Sequence, residues 1–122
     1  MSKKVRGTGL AVKELNNHEQ AGDFYSFTNP TEIKNFLSQN DYLYPVLFEA
    51  KDKIHEIFGV DVKLCLELHT DPEEGWDELF IVIKTNLSVE EAIKRENVLL
   101  RDWFFYKRDE TRGNLNIIER SL

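Results

Sequence analysis

Val62-Lys63-Leu64-Cys65-Leu66-Glu67-Leu68-His69 is followed by Thr70-Asp71-Pro72-Glu73-Glu74-Gly75-Trp76-Asp77 and then by Glu78-Leu79-Phe80-Ile81-Val82-Ile83-Lys84-Thr85. The reading of this stretch decides the fold. The first segment alternates strictly, with Val62, Leu64, Leu66 and Leu68 on one side and Lys63, Cys65, Glu67 and His69 on the other. That period of two marks a half-buried strand. The middle segment holds Pro72 and Gly75 and is a turn. The third is apolar on both faces over its centre, as a central strand is. Together they predict a β-hairpin with an acidic tip.

Downstream, Ser88-Val89-Glu90-Glu91 is a capping box, in which Ser88 accepts from the Glu91 amide and the Glu91 carboxylate reaches back. A helix from Val89 to about Lys107 would follow, burying Ala92, Ile93, Leu99, Leu100, Trp103 and Phe104. Thr111-Arg112-Gly113-Asn114 then turns the chain into a last strand over Leu115–Arg120. Upstream, Asn29-Pro30-Thr31-Glu32 opens a short helix with Asn29 as its cap, ending near Asn40. Asp41 caps a second helix, with Pro45 in its first turn and Gly59 as its stop. Its buried face is Leu43, Leu47, Ala50, Ile54 and Ile57.

The order from Asn29 is therefore α-α-β-β-α-β. The expected fold is α+β, a small antiparallel sheet of three or four strands with helices packed on one face. A right-handed crossover can set the last strand, parallel to the second strand of the hairpin, beside the first, giving order 2-1-3. Leu10–Val12 is a candidate fourth strand, and Phe24, Tyr25 and Phe27 are candidate anchors onto the core. A chain of 122 residues is one domain by size, residues 1–122, with the first six expected to be mobile.

Composition narrows the function classes. Apolar residues make up 41% and charged residues 31%, and the formal charge is −6. That balance opposes non-specific binding to nucleic acid and favours a basic protein partner. No apolar run approaches the length of a membrane span, and no apolar h-region follows the basic start, so neither a membrane helix nor a signal peptide is read. Cys65 is the only cysteine, which fits a cytoplasmic location.

The densest polar cluster is the hairpin turn. Asp71, Glu73, Glu74, Trp76 and Asp77 are the first candidates for binding. Oxygen ligands on a turn can hold a divalent cation, and His69, Asp71, Glu73 and Asp77 form an alternative metal set. Their spacing matches neither an EF-hand loop nor a zinc helix, so a solvated acidic tip is the preferred reading. Cys65, Glu67 and His69 share a strand face. Residues two apart on a strand lie about 6.6 Å apart along it, too far for a tight dyad without a bend. No catalytic residue is assigned.

Trp103-Phe104-Phe105-Tyr106-Lys107-Arg108 sets aromatics beside cations, a pattern seen in single-strand binders. Trp103 and Phe104 fall on the core stripe, which leaves Phe105 and Tyr106 as a candidate partner surface and Lys107, Arg108 and Arg112 as a weak nucleic-acid platform. Gly7-Thr8-Gly9 lacks the context of a phosphate loop, so no cofactor is expected.

The run Leu68-His69-Thr70-Asp71-Pro72-Glu73-Glu74-Gly75-Trp76-Asp77-Glu78-Leu79-Phe80-Ile81-Val82-Ile83-Lys84-Thr85-Asn86-Leu87-Ser88-Val89-Glu90-Glu91-Ala92, within Leu64–Lys94, resembles a group of small uncharacterised prokaryotic proteins. The resemblance implies a bacterial or archaeal cytosolic protein and brings no activity with it. The expected function is a small acidic interaction module of accessory or inhibitor type, with a divalent-metal protein or metal-dependent hydrolase as the alternative. An edge strand and an apolar patch would also allow a homodimer.

Overall fold

A computed structural model of the chain describes residues 17–122. The candidate strand Leu10–Val12 and the expected mobile start lie outside the described residues. Residues 17–24 are helical (α1). There follow β1 (Ser26–Phe27), α2 (Pro30–Gln39), a 3-10 turn over Asp41–Leu43, α3 (Tyr44–Phe58), β2 (Lys63–Thr70), β3 (Asp77–Thr85), α4 (Val89–Asp102), a 3-10 turn over Phe104–Lys107, α5 (Arg108–Thr111) and β4 (Leu115–Ser121). The fold is α+β with a small four-stranded sheet, and from Asn29 onward the principal elements follow the predicted order. No helix among the described residues is long and apolar enough to cross a membrane.

The strand order is β1-β2-β3-β4. β2 and β3 form the antiparallel hairpin, with Leu66 opposite Ile81 and Thr70 opposite Asp77. β1 runs parallel to β2, and β4 runs parallel to β3. The sheet is thus mixed, not wholly antiparallel, and β4 lies beside β3 instead of beside β2. Handedness alone could not choose between those places. A right-handed return from β3 reaches one flank of the hairpin if its helix covers one face, and the other flank if it covers the other. Here β1 occupies the flank of β2. Both parallel connections step the same way across the sheet with their helices on one face, while β2 and β3 run oppositely. The two connections are therefore of opposite hand.

One core joins the helices to that face of the sheet. It contains Ile33 and Leu37 of α2, Leu47, Ala50 and Ile54 of α3, Leu64 and Leu66 of β2, Leu79, Ile81 and Ile83 of β3, Leu99 of α4, and Leu115 and Ile117 of β4. Tyr25 is buried among them and donates its hydroxyl to the Leu47 carbonyl at 2.6 Å. Phe27 is partly buried against the core, whereas Phe24 is exposed beneath the Lys51 ammonium, 4.0 Å from its ring centre.

Helix ends follow local chemistry in some places and not in others. Gly59 ends α3 at φ 93°, a backbone state that costs glycine little. Ser88 caps α4 by accepting from the Glu91 amide at 3.2 Å. The other half of the expected box is not made, because the Glu91 carboxylate accepts from Arg95 Nε at 2.9 Å. Arg95 also donates to the carbonyls of Ile57 and Phe58 at the end of α3. Asp41 opens the 3-10 turn before α3 and does not cap the helix itself.

Asn29 makes no cap hydrogen bond. Its amide instead donates to Leu68 O and accepts from Leu68 N, both at 3.1 Å. A side chain thereby continues the pairing of β1 along β2. α4 ends at Asp102, short of the expected Lys107, because Trp103 leaves helical geometry at φ −134°. Four consecutive aromatics cannot share one helix face, since each turns about 100° from the last. The break lets Trp103 be buried and Phe104 half-buried while Phe105 and Tyr106 face solvent. Ile93, assigned to the buried stripe from sequence, is 54% exposed.

Candidate functional site: the hairpin tip and the open face of the sheet

The tip is built by its own carboxylates. Asp71 accepts from the amides of Glu73 and Glu74, each at 2.8 Å. These two bonds, that of Glu74 first, hold the Asp71 carboxyl below its ordinary range. The Asp71 amide donates to the Trp76 carbonyl and the Gly75 amide to the Asp71 carbonyl. Gly75 completes the turn at φ 77°. Asp77 accepts from the Thr70 hydroxyl across the hairpin. Two of the acidic residues therefore serve the turn. The carboxylates of Glu73, Glu74 and Glu78 have no hydrogen-bond or ion-pair partner among the described residues.

Trp76, between Glu74 and Glu78 in sequence, is 61% exposed and lines two depressions together with Glu78. A depression of about 250 Å³ on one side is lined by His69, Pro72, Trp76, Glu78 and Phe80 among others. A second, of about 280 Å³, lies between Trp76, Asp77, Glu78 and the turn Arg112–Asn114. That turn is anchored far away in sequence. The Arg112 guanidinium lies 4.1 Å from the Tyr42 ring centre, and Asn114 donates to the Tyr42 hydroxyl.

The face of the sheet away from the helices leads up to this tip. Glu67 accepts from Arg120 at 2.9 Å and pairs with His69 Nε2 at 2.9 Å. The Glu67 and His69 side chains lean together, so the spacing along the strand, which seemed to forbid a tight pair, does not prevent one. The His69 ring lies on Phe80, with centroids 4.6 Å apart. The bond with His69, then that with Arg120, holds the Glu67 carboxyl below its ordinary range despite its partial burial. By register, Ser26, Cys65, Val82 and Ile118 form one row across all four strands. The Glu67–Arg120 bridge joins β2 to β4 diagonally across that row, over Val82. Cys65, expected to be half-exposed, is buried between Ser26 and Val82 in this row.

The alternative metal set is not assembled. His69 is turned to Glu67, Asp71 into the turn and Asp77 to Thr70. Among the described residues no three His, Cys, Asp or Glu side chains come together to hold a metal ion. The basic platform is likewise taken up within the chain. Lys107 pairs with Glu49 at 2.7 Å, Arg108 lies over Phe105 and Arg112 over Tyr42.

Phe105 and Tyr106 are 56% and 73% exposed and meet edge to face. With Asn97, Leu100 and Arg101 they line a shallow groove on the outer side of α4, apart from the tip. Sequence reasoning found Asp71, Glu73, Glu74, Trp76 and Asp77 together but could not divide supports from unpartnered groups. It missed Arg112 and Asn114 at the rim of the tip, because their partner Tyr42 is about seventy residues away. No protein-family model, curated protein or solved structure matches this chain.

Proposed function

We propose that the chain is a small protein-interaction module whose hairpin tip receives a basic segment of a partner protein. The observation that carries this reading is Trp76, three-fifths exposed at a tip that shares its depressions with Glu78 and also carries the unpartnered carboxylates of Glu73 and Glu74. An exposed indole is a frequent anchor of binding energy, and it attracts Lys or Arg through its π face. The carboxylates would steer such a partner and select against acidic ones. Depressions on both sides leave room for neighbouring side chains of the segment. The setting that goes with this reading is the cytoplasm of a bacterium or archaeon.

The test is capture of the partner from a native extract by the tagged chain, followed by titration of the purified pair. Wild type should bind more weakly as salt rises, and Trp76→Ala should weaken binding by at least about tenfold, or 1.4 kcal/mol. Replacing Glu73, Glu74 and Glu78 with Gln should slow association more than it speeds dissociation. A partner held equally well by Trp76→Ala would overturn the proposal.

A further inference from the structure

His69 stands where the open face of the sheet meets the tip. Its side chain is about half exposed, and it lines the depression of about 250 Å³ together with Pro72, Trp76, Glu78 and Phe80. Register sets it directly opposite Glu78, and residues paired in this way carry their Cβ atoms about 5 Å apart on one face. Nε2 pairs with Glu67 at 2.9 Å, and the ring is stacked on Phe80 with 4.6 Å between centroids. The imidazole is thus held at the wall of the depression by two contacts.

We infer that His69 is a proton switch on the tip: the neutral imidazole admits a cationic side chain of the partner to this depression, and the imidazolium opposes its entry. The inference rests on the reading of the tip as a site for a basic segment. Charge carries it. Glu67 also accepts from Arg120 of β4 at 2.9 Å, so the trio of Glu67, Arg120 and neutral His69 is balanced. A proton on His69 leaves that trio with one positive charge in excess. The other charged groups facing it are Glu78 of β3 and Asp71 of the turn. Asp71 is engaged by the amides of Glu73 and Glu74. Glu78 is then claimed by two cations, the imidazolium and the incoming side chain. In so small a depression they lie within a screening length of each other, and their repulsion lowers affinity.

Imidazoles titrate between about pH 5 and 8, whereas carboxylic acids ordinarily ionise below that window. His18 and His55 belong to α1 and α3, on the other side of the sheet. Across the window, the charge beside the depression therefore changes at His69. Binding should be stronger at the alkaline end and weaken as pH falls.

The probe is a synthetic peptide of arginine and glycine, capped at both ends, whose own charge is fixed across the window. Titrated into the full chain at constant ionic strength, it should bind about threefold to tenfold more weakly at about pH 5.5 than at about pH 7.5. In His69→Gln that ratio should fall to about one, whatever the absolute affinity. By reciprocity, saturating peptide should lower the titration midpoint of the His69 ring, followed by NMR in the wild type. A wild type indifferent to pH, a His69→Gln chain that keeps the wild-type ratio, or a midpoint that the peptide leaves unmoved would each overturn the inference. Trp76→Ala separates the switch from the site. If it loses the peptide while wild type ignores pH, only the switch fails. If it holds the peptide as well as wild type does, or if wild type does not bind the peptide at low salt, both fail.

Discussion

Ile81 and Val82 are neighbours on β3, and neither is exposed. They are covered in different ways. Ile81 belongs to the core shared with the helices. Val82 faces the other way, where the Glu67–Arg120 bridge crosses its row, with His69 and Phe80 stacked beside it. The first kind of cover is close-packed and apolar. The second is a layer of long, partly exposed polar side chains that bury apolar surface beneath their stems. Equal burial therefore does not mean equal support.

The two faces should separate under mutation. Ile81→Ala leaves a cavity that rigid neighbours cannot fill, and should cost about 2–5 kcal/mol in urea denaturation. Val82→Ala removes two carbons beneath side chains that can settle, and should cost about 1.5 kcal/mol. If Val82→Ala proved as costly as Ile81→Ala, the contrast between the faces would fail.

Glu67→Gln should have a smaller effect, about 0.5 kcal/mol at neutral pH, with a pH signature that sharpens the comparison. The Glu67 carboxyl titrates below its ordinary value of 4.5. Its contribution is therefore full above that value and is lost as pH falls through the lower, folded-state value. Urea midpoints followed from pH 6 downward should show wild type losing this contribution in acid and Glu67→Gln lacking that part of the decline. The smallest effect on stability belongs to the tip. Trp76→Ala should change the unfolding free energy by no more than about 0.5 kcal/mol, so that a loss of binding cannot be ascribed to unfolding.

What could be read from sequence was what depends on near neighbours. The alternation of β2, the two-sided apolar run of β3, the Ser88 cap and the Gly59 stop all express local geometry, and each appears where expected. What was misread depends on distant ones. Asn29 has the composition of a cap, but Leu68 of β2 offers it both a donor and an acceptor. The place of β4 depended on which hairpin face the helices cover, and periodicity names the faces without giving their hand. Cys65 looked half-exposed on its own strand because its cover comes from β1 and β3. At the tip, composition supplied the acidic residues and Trp76. Which carboxylates hold the turn and which face outward depended on the hydrogen bonds of Asp71 and Asp77.

The burial of Cys65 has a use of its own. It is the one thiol in the chain, and β1, at its flank, is held to β2 through two residue pairs. A thiol-directed reagent added to the native protein should react only when the sheet opens there, so its rate follows the fraction of molecules open at that point. Under conditions where closing outruns labelling, the wild-type chain would report its own local breathing at a single atom, without an engineered probe. A mutation that loosens Asn29 should quicken that signal before it changes the global melt.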